Sequence, residues 1–276
     1  SWGSWGKKLS TEKQAEMIQF CTENGNSTFD LADIYGDYTS ELQFGEALNK
    51  SGVKRNKVKL ISKCGIQLVN ENRDTKIKHY NYSKEHIIHS VEESLKHLKT
   101  DYLDTLLLHR PSPLMESNEI AEAITHLQKS GKFIQFGVSN FTPSQVDLIA
   151  KNIEVSINQI EFSLTQHEAM HDGTLDFIQQ NGMQAMSWSP LGTIFKEESP
   201  QVKRIKKVLS SLSEKYNASD DSILLSWIMK HPAKISPVIG TTNKERIKRA
   251  NKALEIQLDT EDWFTLLAAS QGHEVP

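Results

Sequence analysis

Cysteine is nearly absent from this chain: two in 276 residues, Cys21 and Cys64, with no Cys-x-x-Cys pair. That excludes a disulfide framework and a cysteine zinc centre, and fits free thiols in a reducing compartment. Long apolar runs are lacking too. None approaches the roughly 20 residues of a membrane span, and no secretory leader pattern is visible. There is no surplus of positive charge: 32 Lys and Arg against 35 Asp and Glu leave a formal net charge of −3. This argues against nucleic acid or an anionic membrane as the main partner. A Gly-x-Gly-x-x-Gly after an early strand is missing, which disfavours an open doubly wound sheet. No Gly/Ser/Pro-rich linker divides the chain, so residues 1–276 read as a single domain. At 37% hydrophobic and 24% charged, the composition is globular. These absences together predict a cytoplasmic protein; they give no oligomeric state.

What is present is an alternation of apolar runs and helical periods. The runs are continuous rather than alternating, as parallel strands covered on both faces would be. They fall at 27–32, 58–62, 104–108, 132–136, 155–160, 183–187 and 235–239. Helices are predicted at 11–24, 40–49, 83–99, 119–129, from Thr142-Pro143, 173–181, 201–216, 219–230, from Thr242 to about 254, and 260–269. Leu42, Phe44, Ala47 and Leu48 are expected on one side of the second helix. Thr242-Asn-Lys-Glu245 has the capping-box pattern. The stretch 64–82 has no clear period and reads as a functional or mobile loop. Seven strand–helix units are one short of an eight-fold barrel. The fold expected is therefore α/β, a (β/α)8 barrel whose first strand would lie upstream of Ser1. Trp2 and Trp5 would then occupy the first loop, near the barrel mouth.

Phe29-Asp-Leu-Ala-Asp-Ile-Tyr-Gly36 organises the rest. An aspartate inside an apolar run is costly unless its charge is paired, so Asp30 needs a buried cation. Tyr35 falls just past the strand, where a phenol can be half buried and still reach a substrate. In a parallel barrel the chemistry gathers at strand C-terminal ends. Those ends carry Asp30 and Tyr35, Lys63, His109, Ser139-Asn140, Gln159, Trp188-Ser189 and Gly240-Thr241. A lone lysine is usually a rim charge and a lone histidine usually structural. Polar groups at end after end, above apolar strand interiors, are a stronger signal than any one of them.

Phe29-Asp-x-Ala-x-x-Tyr35-Gly36, Ile61-Ser-Lys63, Leu108-His-Arg-Pro111, Gly137-Val-Ser-Asn-Phe141, Asn158-Gln159 and Ser187-Trp-Ser-Pro-Leu-Gly192 resemble, in this order, the aldo-keto reductase superfamily. Within it, Ser-Lys-Cys-Gly65 and Leu-His-Arg-Pro111 resemble a bacterial group of poorly characterised oxidoreductases. The resemblance implies NADP(H)-dependent reduction of a small-molecule aldehyde or ketone. Tyr35 would give the proton, and an unperturbed tyrosine, titrating near 10, needs help to do so. Lys63 would supply a cation that favours the phenolate, Asp30 would pair with Lys63, and His109 would orient the carbonyl. Ser139, Asn140 and Gln159 match positions that hold the carboxamide, and Trp188 the ring that stacks on the nicotinamide. Ser189, Leu191 and Gly192 match the pyrophosphate loop. Gly240, Thr241, Thr242 and Arg246 match the adenosine-phosphate site, with Arg246 on the 2′-phosphate. Gly240 stands where many members carry lysine. Arg249 and Ala250 stand near their usual Glu-Asn, so that Asn251 would serve the adenine one residue displaced.

Two other classes fit less well. A nicotinamide-binding regulatory subunit with slow turnover could keep the same residues. A metal-dependent barrel hydrolase is invited by His79, His86, His89 and His97. The last three share one helix with outward Lys and Glu, so a solvated face is expected there and no metal site is assigned.

Overall fold

The computed structural model describes residues 2–71 and 73–276. The expectation of a strand upstream of Ser1 concerns chain outside them, and so does Asn72 of the expected loop. The chain divides into two compact units, Ser1–Asn158 and Gln159–Pro276.

In the first unit, α1 (Thr11–Glu23) starts where the Ser10 hydroxyl accepts from the Lys13 amide, a side-chain cap for an otherwise orphaned N–H. Strand β1 (Thr28–Asp30) leads into a short helical turn, α2 (Tyr35–Tyr38), and then α3 (Ser40–Ser51). Next come β2 (Lys59–Cys64), β3 (Ile66–Gln67), β4 (His79–Tyr80) and α4 (Lys84–Leu98). β5 (Leu103–Leu108), α5 (Ser117–Lys129), β6 (Phe133–Ser139) and α6 (Pro143–Ala150) complete it. Its main sheet runs β1-β2-β5-β6, all parallel. Leu103, Leu106, Leu107 and Leu108 are essentially buried, the mark of a strand covered on both faces.

β7 (Ile157–Glu161) starts in the first unit and runs into the second, where α7 (Thr174–Gln180), β8 (Gln184–Trp188), α8 (Pro200–Tyr216) and α9 (Asp220–Met229) follow. Then follow β9 (Ser236–Pro237), α10 (Lys244–Lys252) and α11 (Thr260–Gln271). Its sheet order is β7-β8-β9. The fold is thus α/β with seven strands in the main sheet order among the described residues, matching the seven expected.

Several local readings are corrected. The 64–82 stretch is not without regular structure: β3 and β4 pair antiparallel, Ile66 opposite Tyr80 and Gln67 opposite His79. The run at 235–239 contributes only the two paired residues of β9. β6 continues through Ser139, so that residue belongs to the strand itself. On α3 it is Glu41, Phe44, Gly45, Ala47 and Leu48 that are buried, while Leu42 is exposed. The cap of α10 is Asn243, accepting from the Arg246 amide, rather than Thr242. His86 does not lie on a solvated face. It contacts Gln67 Nε2 at 2.7 Å and Ser90 Oγ at 3.1 Å. Burial, helped by His89, Arg73 and His79, pushes its pKa down to about 4.

Candidate active site

Parallel pairing sets the site's first distances. Asp30 at the end of β1 stands opposite Ile61 of β2, and Lys63 and Cys64 stand opposite Leu107 and Leu108 of β5. The backbone N–H of His109 donates to Cys64 O (2.9 Å), so β5 ends beside β2. In the same way Asp33 N donates to Lys63 O (3.0 Å), bringing the segment after β1 over the lysine.

The Lys63 side chain is 1% exposed. Its Nζ donates to Asp30 Oδ2 (2.8 Å), to Leu31 O (2.8 Å) and to Tyr35 Oη (3.3 Å). An ammonium has three N–H groups, and these three contacts use them all. Burial works against the charged form, but the Asp30 carboxylate and Tyr35 outweigh it and hold the pKa of Lys63 above its ordinary value. The carboxylate that the sequence required to be paired has its cation.

Tyr35 gets its position from an unusual turn. Gly36, Asp37 and Tyr38 all have positive φ (62°, 54° and 67°). Such backbone is sparsely populated by side-chain-bearing residues and persists only where its surroundings fix it. A Cβ on Gly36 would meet Ser40 Oγ at 2.5 Å and Ser4 Oγ at 2.6 Å. The Tyr35 ring meets the His109 ring edge-on, with centroids 5.7 Å apart. Trp5 stands 6.2 Å from the Tyr35 ring on another side, and its indole N–H donates to Asp37 Oδ2 (3.3 Å). Trp5 is half exposed (49%), so it offers an aromatic wall beside the phenol. Trp2 instead packs on Phe29 and Phe44.

His109 is 5% exposed. Burial above all, with Lys63, Arg110 and Lys78 adding to it, pushes its pKa down to about 2. The ring is therefore neutral at ordinary pH and acts through one N–H and one lone pair. Its Nδ1 is buried without a partner among the described residues.

Asp30, Tyr35, Lys63 and His109 are thus brought together in the first unit. Nearby, Ser139 Oγ accepts from Asn140 Nδ2 (2.9 Å) and from Arg110 Nη1 (3.1 Å). Asn140 has positive φ (59°), which turns its side chain back onto Ser139. Sequence reasoning missed three polar groups here. Glu41 is 2% exposed and accepts from Ser62 Oγ. Burial pushes its pKa up to about 6, against the pull of Ser62, Ser94 and Lys63. Burial and the nearby Glu41 likewise push Asp33 well up. Arg110 was noticed only as a motif letter. Glu41 was findable, because positions 41, 44, 45 and 48 share one helix face.

In the second unit, Gln159 is buried on β7 and Trp188 ends β8, half buried. Ser189 and Gly192 both have positive φ (51° and 50°), and Gly192 N donates to Ser189 O (2.8 Å). With Leu191 this makes a tight turn. Thr241 Oγ1 accepts from Asn243 N (3.1 Å), and Asn243 caps α10. Arg246 is in that helix's first turn and exposed; Gly240 has open space around it. Thr242 and Asn251 are half buried. Arg249, one of the departures, is engaged by Asp221, Nη2 to Oδ2 at 3.1 Å.

Comparison with known proteins bears on the chain as a whole. The aldo/keto reductase family model matches residues 1–270. An uncharacterized oxidoreductase of Bacillus subtilis, YcsN, is 42% identical over 266 residues, covering 94% of this chain and 89% of the relative. A 6-dehydroglucose reductase of Agrobacterium fabrum is 37% identical over 263 residues, covering 94% and 88%. A Bombyx mori aldo-keto reductase, solved in complex with NADP, superposes with a TM-score of 0.79 at 24% identity, over 100% of this chain and 89% of that one. The chain belongs to the aldo/keto reductase family and is an oxidoreductase acting on carbonyl compounds.

Proposed function

We propose that the protein reduces an aldehyde or ketone to the alcohol at the expense of NADPH. The observation that carries this reading is Lys63 Nζ, which reaches both Asp30 Oδ2 and Tyr35 Oη. That contact lets a phenol act as an acid, because the phenolate left behind is born next to a cation.

When bound, the nicotinamide supplies the hydride. The chain does the rest. The neutral His109 ring, beside Tyr35, offers an N–H to the carbonyl oxygen and sets its direction. Tyr35 Oη gives its proton to that oxygen as charge develops there. Lys63 holds the resulting phenolate, and Asp30 keeps Lys63 aimed and charged. Solvent returns the proton to Tyr35 after the alcohol leaves. Trp5 and Tyr35 bound the carbonyl's surroundings.

The donor set suits a dinucleotide phosphate. Ser139 and Asn140 are hydrogen-bonding groups for a carboxamide, as is Gln159, and Trp188 is a stacking surface. Ser189, Leu191 and Gly192 form a turn of the kind that accepts a pyrophosphate. Gly240, Thr241 and Thr242 precede a capped helix start whose first turn carries Arg246, a charge-assisted partner for a 2′-phosphate. Asn251 is proposed for the adenine. A sugar-derived aldehyde is the first compound to try, given the likeness to 6-dehydroglucose reductases.

The test is loss of NADPH absorbance with purified protein and a panel of aldehydes including 4-nitrobenzaldehyde. Tyr35→Phe should keep NADPH affinity and lose turnover by about 10²–10⁴, the worth of a general acid. A variant that turns over at the wild-type rate would remove Tyr35 from the role. Cofactor binding without turnover of any carbonyl would favour the regulatory reading.

A further inference from the structure

Ser139 is 1% exposed, and its hydroxyl is crowded with donors. Arg110 Nη1 donates to its Oγ at 3.1 Å and Asn140 Nδ2 at 2.9 Å. A serine hydroxyl has two lone pairs and one proton, and a guanidinium can only donate. With both lone pairs taken, what Ser139 has left to offer a ligand is its O–H. A hydroxyl that could otherwise turn either way is fixed as a donor. The fixing group is itself held. The same Arg110 Nη1 donates to His109 O (3.1 Å), and the Arg110 backbone N–H donates to Tyr82 Oη (3.1 Å). Tyr82 reaches that place over Gly65, where a Cβ would lie 2.0 Å from the ring.

We propose that Arg110 is a positioning residue that makes Ser139 an obligate hydrogen-bond donor to the carboxamide oxygen of the nicotinamide; this rests on the cofactor assignment above. The group read at this point is then an oxygen acceptor. A charged donor on Oγ also polarises the O–H and strengthens what it donates. Because Arg110 bridges the carbonyl of His109 and the hydroxyl of Ser139, it ties the residue facing the substrate to the residue facing the cofactor. Both bonds leave one nitrogen, Nη1, held in a rigid guanidinium plane, so the flexible, strongly hydrated ammonium of lysine is an incomplete substitute.

The test compares NADPH with its thionicotinamide analogue, whose sulfur is a poorer acceptor, by quenching of protein fluorescence. Wild type should bind NADPH several-fold more tightly than the analogue. Arg110→Met should weaken NADPH by about tenfold and the analogue far less, so that discrimination between them largely disappears. Arg110→Lys should fall between the two. If Arg110→Met is not recovered folded, Arg110→Lys and Ser139→Ala carry the test: discrimination should be reduced in the first and absent in the second. Equal losses for both cofactors, or unchanged discrimination in every folded variant, would overturn the proposal. Failure of wild type to bind NADPH at all would overturn the cofactor assignment instead.

Discussion

Among the described residues, Lys63 and Glu41 are the most completely buried of the lysines, arginines, aspartates and glutamates. Lys63 has its full set of partners and stays charged. Glu41 has Ser62 and Ser94 and is still pushed up to about 6. The sign follows from linkage. Between the ordinary value of 4.5 and about 6, the folded state keeps a proton that the unfolded state has lost. Stability therefore falls as pH rises through that window, and remains lower above it. That displacement corresponds to about 2 kcal/mol at neutral pH. Glu41→Gln removes the charge, keeps an acceptor for the serines, and should raise the urea midpoint more at pH 7.5 than at pH 4.5. An equal effect at both would mean that burial does not set this group's titration. The pairing of Asp30 was legible from an acid in an apolar run. Glu41 was not read, although it occupied a helix position flanked by Phe44 and Leu48 at helical spacing.

At the level of elements, most helix starts were legible, the cap of α10 excepted, and helix faces less so. Ser10, Ser83 and Thr142 cap helices where the run of apolar periods begins. β3 and β4 escaped notice because two residues a side carry no period to detect. The face of α3 differs from the expected one because Leu42 stands about 200° around the helix from Phe44, on the exposed side. Gly45 shows what that face is for. A Cβ there would lie 2.2 Å from His97 O and 2.8 Å from Leu98 Cα, both backbone of α4. Only a bare Cα lets the two helices approach so closely. Gly45→Ala gains up to about 1 kcal/mol of helix propensity and loses about 1–3 kcal/mol or more to overpacking against rigid backbone. The expected result is a net fall in melting temperature. A variant as stable as wild type would show that α3 and α4 can separate freely.

At the scale of the whole molecule, the order of strands and helices was legible because strands such as β2, β5, β7 and β8 are largely buried and read as apolar runs. Which polar residues cluster was legible only through the rule that strand ends gather chemistry, and then only where a residue fell at an end. Arg110 and Asp33 lie in the same post-strand segments as His109 and Tyr35, but the partners that matter to them are set by turns whose course no period announces. The cofactor assignment has a whole-molecule consequence, since a ligand that binds only the folded chain stabilises it by mass action. At 100 times its Kd, NADPH should add about 2.7 kcal/mol, a rise in melting temperature of roughly 5–10 °C for a chain of this size. NADH at the same concentration should give a smaller rise, because it lacks the 2′-phosphate that Arg246 is proposed to hold. A charge-assisted contact is worth about 1.5–3 kcal/mol, or about 10- to 100-fold in Kd. Arg246→Ala should then cut the NADPH effect to about 0.4–1.4 kcal/mol at the same concentration and leave the NADH effect unchanged. If Arg246 is the cation on the 2′-phosphate, as proposed, with glycine rather than lysine at position 240, a single substitution should bring the two cofactors nearly level. Equal shifts for NADPH and NADH in wild type, untouched by Arg246→Ala, would take the 2′-phosphate away from this helix start.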